Sequence, residues 1–411
     1  MSFRFFLIMA GVMTAILVSI SCQKSGSLEL AWSLRGGTVG QWGIRGDEVF
    51  TVGRYLTVYN LTTGKELRRV KLPQDYGNTT LGEISPEIAI TNSSLVFAWY
   101  DFKGEFKEKE GTIFSYDPNT LKLRWQRSLP LQKDVLELAP TFSVAIEGSY
   151  LYALAIGKEG ENLFKLKLTD GETIWSTRIE KYIQGVPLVL RDGKLLIRSR
   201  VSPWSRDPYG YFQAINPETG ETLWRVRIDG MSGVNDDPPI VSGDRAYLTS
   251  EGVLSKPDYF YTIDLSRGTI INHQRVYQLR APFAEYRGVL YFAGNTPAAF
   301  DVSNGKILWQ TDLRGPHGLG DPINASGVPN AAREEIYLGD WERNLYVLSS
   351  TTGQVKEKVN IRGYWRGDFL FSPLKAFFGS YGIKRLELNK GLLLVGTVDS
   401  SLFVFRPTNK K

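Results

Sequence analysis

FDVSNGKILWQ, residues 300–310, is a strand end, a polar turn closed by Gly305, and a second strand carrying Trp309. The same arrangement returns as YNLTTGKELRR (59–69), YDPNTLKLRWQ (116–126), KLTDGETIWST (167–177), INPETGETLWR (215–225), IDLSRGTIINH (263–273) and LSSTTGQVKEK (348–358). Self-similarity at a spacing of roughly 50 residues is the mark of a repeat architecture. The turn position holds Gly64, Leu121, Gly171, Gly220, Gly268, Gly305 and Gly353. Glycine in all but one copy points to a positive φ in a tight hairpin, where a side chain is costly. Leu121 is therefore expected to mark a differently built turn. Four residues further on stand Trp125, Trp175, Trp224 and Trp309, with Arg68, Asn272 and Glu357 in the other copies. A tryptophan recurring at one register of one strand reads as a packing wedge between repeats.

A proline recurs ahead of each next unit, at Pro86, Pro140, Pro187, Pro239, Pro282, Pro322 and Pro373. Proline is tolerated at the first residue of a strand, where its missing N–H is not yet needed. Each unit thus reads as four antiparallel strands: A opening at the proline, B after a short turn, C before the glycine turn, and D carrying the tryptophan. Four short strands per repeat make the blade of a β-propeller. Seven units are internal. The eighth is assembled from the ends, because GLLLVGTVDSSLFVFRP (391–407) supplies B and C without a D, and LELAWSL (28–34), with Trp32, is a lone D. The expectation is an all-β, eight-bladed β-propeller of four-stranded antiparallel blades, its last blade closed by N- and C-terminal strands. Length alone, at roughly 150 residues per domain, would suggest two or three domains; the repeat makes residues 28–411 one.

Composition agrees. The chain has 411 residues, 42% apolar, with 51 aromatic residues, two histidines and one cysteine. Disordered, collagen-like and disulfide-stapled classes are excluded, and so is a His/Cys metal cluster. Residues 1–21 place Arg4 before an unbroken apolar and small-residue stretch and end beside Cys22, which is the pattern of an export signal. The stretch is short for a membrane span, which needs roughly 20 residues. Without residues 1–21 the net charge is +5, too mild for the basic stripe that nucleic acid requires; no nucleic-acid partner is expected.

The strand, (S/T/N)-G-x-x-x-W, loop, Pro-strand pattern, with GDWERNLYVLSSTTG (339–353) and GTVDSSLFVF (396–405), resembles the pyrroloquinoline-quinone (PQQ)-like propeller repeat. The resemblance spans nearly all of the chain after residue 21. The amino terminus resembles a bacterial lipoprotein signal, with Cys22 as the lipidated first mature residue and 22–27 as linker. Ser19 stands where that signal usually has Leu, and an ordinary secretory signal or membrane anchor is the alternative. A lipid-anchored eight-bladed propeller with little else resembles the BamB family of outer-membrane assembly scaffolds. That resemblance implies protein partners, among them the barrel-assembly subunit and unfolded barrel clients, a place on the outer membrane facing the periplasm, no catalytic residue, no cofactor and no metal. A monomer is expected of the protein on its own.

Antiparallel order sends the B-to-C hairpins and D-to-A connections to one end of the blades, and the A-to-B and C-to-D turns to the other. Insertions at 101–112, 199–211 and 250–260 lengthen B-to-C hairpins, so the first end is expected to carry function. The KGEFKEKEG tip (103–111) reads as a solvated hairpin. Candidate partner-binding residues there are Trp204, Arg206, Tyr209, Asp236, Asp237, His317, Trp365, Arg366 and Asp368, since aromatic and guanidinium groups on loops are enriched where proteins bind partners. The alternative is that the aromatics fold back over the blade ends. A second class of function is a lipoprotein sensor binding a small ligand, peptide or carbohydrate in a polar central funnel. A PQQ-dependent dehydrogenase would resemble enzymes that hold the cofactor with an adjacent-cysteine disulfide, which one cysteine cannot form. Asn235, Asp236 and Asp237 carry oxygens suited to calcium but read as turn formers. His273 and His317 lack a matched nucleophile in the sequence.

Overall fold

The computed structural model describes residues 27–34, 41–53, 55–72, 88–103, 108–130, 142–155, 163–179, 188–200, 209–230, 238–250, 258–276, 279–294, 296–313, 327–340, 342–361, 382–397 and 401–408. These contain 32 strands, β1 to β32 in chain order, in eight four-stranded antiparallel sheets. Blade 1 is β2–β5 (41–71), blade 2 is β6–β9 (89–130), blade 3 is β10–β13 (142–177) and blade 4 is β14–β17 (189–229). Blades 5, 6 and 7 are β18–β21 (240–276), β22–β25 (279–310) and β26–β29 (327–360). Blade 8 combines β30–β32 (383–407) with β1 (Leu28–Leu34), in the order β1-β32-β31-β30. Trp32 lies opposite Val404 and Ser33 opposite Phe403, so the two ends of the chain do complete one blade.

The core lies between blades. Each of eight apolar clusters draws on two neighbouring blades: one joins Phe50 and Val58 of blade 1 to Phe97 and Phe114 of blade 2, and the ring closes where Trp32, Leu394 and Val404 of blade 8 meet Trp42 and Val49 of blade 1. Strand alternation produces this, because successive residues of a middle strand face opposite neighbours. In blade 4, Leu196 packs toward blade 5, while Leu195 and Ile197 pack toward blade 3.

The glycine turns and the tryptophan wedges prove to be one device. Each wedge sits on the glycine of the following blade: Trp32 on Gly64, Trp125 on Gly171, Trp175 on Gly220, Trp224 on Gly268 and Trp309 on Gly353. A Cβ on Gly64 would stand 2.7 Å from the Trp32 ring, and one on Gly171 2.7 Å from Trp125. Four of the indoles donate their N–H to the carbonyl three residues before that glycine, on Leu61, Leu168, Leu265 and Ser350, at 2.8–3.0 Å. The Trp175 indole nitrogen is buried without such a bond.

Two sequence expectations are corrected. Leu121 does not mark a different turn: its φ is +55°, and its N–H donates to Asp117 O at 2.8 Å as Gly64 N–H does to Asn60 O at 2.9 Å. The preceding blade offers Arg68 instead of tryptophan, so a side chain has room and Leu121 is buried. Pro239 directly precedes β18 (Ile240–Ser242), as expected, but Pro282 lies inside β22 (Leu279–Tyr286), between two register shifts where the ladder is interrupted. Pro86, Pro140, Pro187, Pro322 and Pro373 lie outside the described residues, as do residues 1–26 with Cys22. No helix among the described residues is long and apolar enough to cross a membrane.

Candidate partner-binding surface

Of the nominated residues, Tyr209 is described; Trp204, Arg206, Asp236, Asp237, His317, Trp365, Arg366 and Asp368 lie outside the described residues. Tyr209 opens β16 (Tyr209–Ile215), directly after the inserted hairpin of blade 4. Alternation along β16 sends Phe212 and Ala214 into the core shared with blade 5 and leaves Tyr209, Tyr211 and Gln213 on the opposite flank. Along β17 (Thr222–Asp229), Leu223, Arg225, Arg227 and Asp229 are exposed, while Trp224, Val226 and Ile228 turn inward.

The exposed flank is a ladder of aromatic and guanidinium groups. The Arg225 guanidinium stacks on Tyr211 at 3.4 Å from the ring centroid, and that of Arg227 on Tyr209 at 4.2 Å. The two tyrosines meet edge to face at 5.9 Å. Arg227 Nε also donates to Asp229 Oδ1 at 2.7 Å, an exposed pair that holds the guanidinium in place more than it stabilises the fold. Stacking of this kind contributes about 0.5–1 kcal/mol at an exposed site and more once water is excluded, so the ladder gains energy when a partner covers it.

Across the next cleft, blade 5 presents Tyr259 and Tyr261 from β20 (Asp258–Asp264) and His273 from β21 (Thr269–Val276). His273 lies against both rings, 5.7 Å from Tyr259 and 5.8 Å from Tyr261. The Tyr261 hydroxyl donates to Asp229 O at 3.4 Å, bridging the two blades. Burial pushes the Tyr261 phenol above its ordinary range, so it remains a neutral donor. His273 is here a surface packing residue. Sequence reasoning named one member of this surface, Tyr209. It missed Tyr211, Arg225 and Arg227 because they sit in strands; their alternation with apolar residues was the available signal.

In blade 2 the inserted hairpin continues β7 (Leu95–Lys103) and β8 (Glu108–Tyr116) as a paired ribbon out to Lys103 and Glu108. Among the described residues no three His, Cys, Asp or Glu side chains converge as metal ligands.

A family model described as outer membrane protein assembly factor BamB matches residues 209–367. The chain is a β-propeller that resembles BamB and the PQQ-like propellers. Over 283 residues, 64% of the chain, it is 24% identical to the outer membrane protein assembly factor BamB of Yersinia pestis, covering 65% of that protein. Over 157 residues it is 30% identical to the quinoprotein alcohol dehydrogenase PedH of Pseudomonas putida, covering 25% of it. The matched stretch is thus less than two thirds of either relative. The crystal structure of BamB from Moraxella catarrhalis superposes with a TM-score of 0.60 at 17% identity, covering 92% of this chain and 99% of that one. At that identity the likeness is one of fold, and a fold does not fix a function.

Proposed function

We propose that this chain is an exported, non-enzymatic lipoprotein, anchored through Cys22 to the outer membrane and facing the periplasm, that serves as a protein-binding scaffold in outer-membrane β-barrel assembly. The observation that carries the reading is the aromatic and guanidinium ladder of blade 4, which lies in the segment, 209–367, matched by the assembly-factor family. Tyrosine and arginine are the residue types on which binding energy concentrates. The lipid anchor rests on the sequence of residues 1–22, and a monomeric propeller is part of the proposal.

The test is co-purification of the lipidated protein from detergent extracts. The barrel-assembly subunit is expected to accompany the wild-type chain, and an Arg225→Ala/Arg227→Ala variant of unchanged thermal stability to recover about tenfold less of it. Equal recovery by wild type and variant removes blade 4 from the interface, and repeated failure to recover the subunit removes the scaffold reading. Separately, Cys22→Ser is expected to move the protein from the membrane to the soluble fraction.

A second reading, a quinoprotein-type oxidoreductase, draws on the match to PedH. The donor set does not fit it: the only cysteine is Cys22, so the adjacent-cysteine disulfide that the family resemblance implies cannot form, and no step is derived through the quinone. Titration with pyrroloquinoline quinone and calcium is expected to leave the quinone absorbance unchanged.

A further inference from the structure

Among the described residues, one wedge seat holds no filling side chain. At the junction of blades 5 and 6 the residue in the tryptophan register is Asn272, and a Cβ on Gly305 would have Asn272 Nδ2 as its nearest neighbour, at 3.9 Å. The other junctions without tryptophan are filled in other ways. Arg68 donates to Pro118 O at 3.2 Å and to Glu48 at 2.6 Å, and Glu357 accepts the Ser27 N–H at 2.7 Å. Beside the Asn272 seat a groove of about 530 Å³ opens, lined by Arg245 of blade 5 and by Arg287, Val289, Asp301, Val302 and Leu308 of blade 6; it reaches the turn that holds Gly305 through Val302. Leu308 of this lining is exposed, and the D strands of the two blades also expose Ile270, Ile271 and Ile307.

We propose that this junction is a docking seat for an aromatic side chain of a protein partner, with a neighbouring carboxylate held by Arg245 and Arg287. The chain itself supplies the precedent, since it fills the equivalent seat with an indole at five other junctions, and Val302, three residues before Gly305, offers the equivalent carbonyl. The Asp301 carboxylate also lines the groove and is bonded within its own turn to Ser303 and Asn304, so it offsets one of the two guanidinium charges and leaves the other for a partner's carboxylate. Exposed apolar patches beside a groove mark protein contacts. The seat lies at the junction of blades 5 and 6, whereas the Tyr209 ladder is on the flank of blade 4 turned away from blade 5, and occupancy of the seat does not depend on which protein the scaffold serves.

The test is ligand-observed NMR titration of the full chain with N-acetyl-tryptophan, N-acetyl-tryptophanamide and N-acetylglycine. N-acetyl-tryptophan is expected to saturate near about 1–10 mM, the amide to bind about threefold more weakly, and N-acetylglycine to leave no signal. Asn272→Trp fills the seat from within and is expected to abolish binding. Leu308→Asp, at a position 52% exposed, is expected to weaken it about tenfold and decides the matter should the first variant not fold. Absence of binding to the wild type, undiminished binding in Asn272→Trp or Leu308→Asp, or equal binding of N-acetylglycine overturns the proposal.

Discussion

Gly268 and Gly305 hold nearly the same backbone conformation, with φ of +67° and +69°, yet they face different neighbours. An alanine at either position meets the left-handed penalty of about 1–2 kcal/mol. At Gly268 its Cβ would also overlap the Trp224 ring, which adds an overpacking cost of about 1–3 kcal/mol. Gly268→Ala is therefore expected to lose clearly more stability than Gly305→Ala in urea unfolding; equal losses would show that the wedge contact adds nothing. The aspartates that open the same turns respond to pH. The Asp117 carboxylate accepts from Arg124 Nη2 at 2.7 Å and from the N–H groups of Asn119 and Thr120 at 2.8 and 3.0 Å, and Arg124, first among the causes, helps hold its pKa down to about 2. Asp264 and Asp301 are lowered in the same way, first by Ser266 and Ser303. A carboxyl that ionises more readily in the folded chain stabilises it above the unfolded pKa of about 4, and that stabilisation disappears as pH falls through the folded value. The Tm difference between wild type and Asp117→Asn is expected to be full at pH 6 and to shrink between pH 4 and 2; a difference independent of pH would refute the linkage.

Strand D is where the blades are fastened together. Trp175 and Trp309 occupy the same register, but Trp309 donates to Ser350 O at 2.8 Å, while the nitrogen of Trp175 is buried without a hydrogen bond. Replacing indole by phenyl removes a satisfied hydrogen bond in one case and an unsatisfied donor in the other. Trp309→Phe is thus expected to cost about 1 kcal/mol more than Trp175→Phe in equilibrium unfolding; the opposite order would mean that ring packing outweighs the bond. These strands also mark how far the sequence could be read. Blade number, the four-strand unit and the closing role of Trp32 follow from spacing, because each is repeated or terminal. The seating of each tryptophan on the next blade's glycine does not, because Trp125 and Gly171 belong to different copies and spacing measures only relations within one. Leu121 was misread for that reason: its neighbour Arg68 is set by the preceding blade. Ring closure joins β1 to β32 but leaves D strands such as β21 at the outer edge of their sheets, β21 exposed along most of its length. Of the candidate surface, loop residues could be nominated from composition, whereas Arg225 and Arg227 sit inside an ordinary amphipathic strand.

Because each apolar cluster belongs to two blades, no blade holds a core of its own, and stability is a sum over junctions closed into a circle. Seven blades have their four strands linked by turns. In blade 8 strand D is β1, joined to β32 by hydrogen bonds and packing alone. The local fastenings at this seam are Thr408 N–H to Ser27 O at 2.6 Å, Ser27 N–H to Glu357 at 2.7 Å and Arg333 to Thr408 O at 2.6 Å, besides the Trp32 wedge on blade 1. Release of β1 would expose the edge of β32 and remove Leu28 and Trp32 from the clusters on either side, and the ring is expected to open first at this seam, where no covalent turn links strand D to its blade. In native-state hydrogen exchange the amides of Leu28–Leu34 are expected to open at lower free energy than those of β17, the D strand of blade 4. A cross-strand disulfide between Glu29→Cys and Arg406→Cys, residues paired in the ladder, would close a loop of almost the whole chain. Such a closure stabilises by on the order of 3–5 kcal/mol, chiefly through the unfolded state. The oxidised double variant is expected to melt at higher temperature than its reduced form and to slow exchange in β1 and β32 together. If oxidation raises Tm but leaves β1 exchanging as before, opening begins at another junction, and the strand joining the two ends of the chain is not the weak point of the ring.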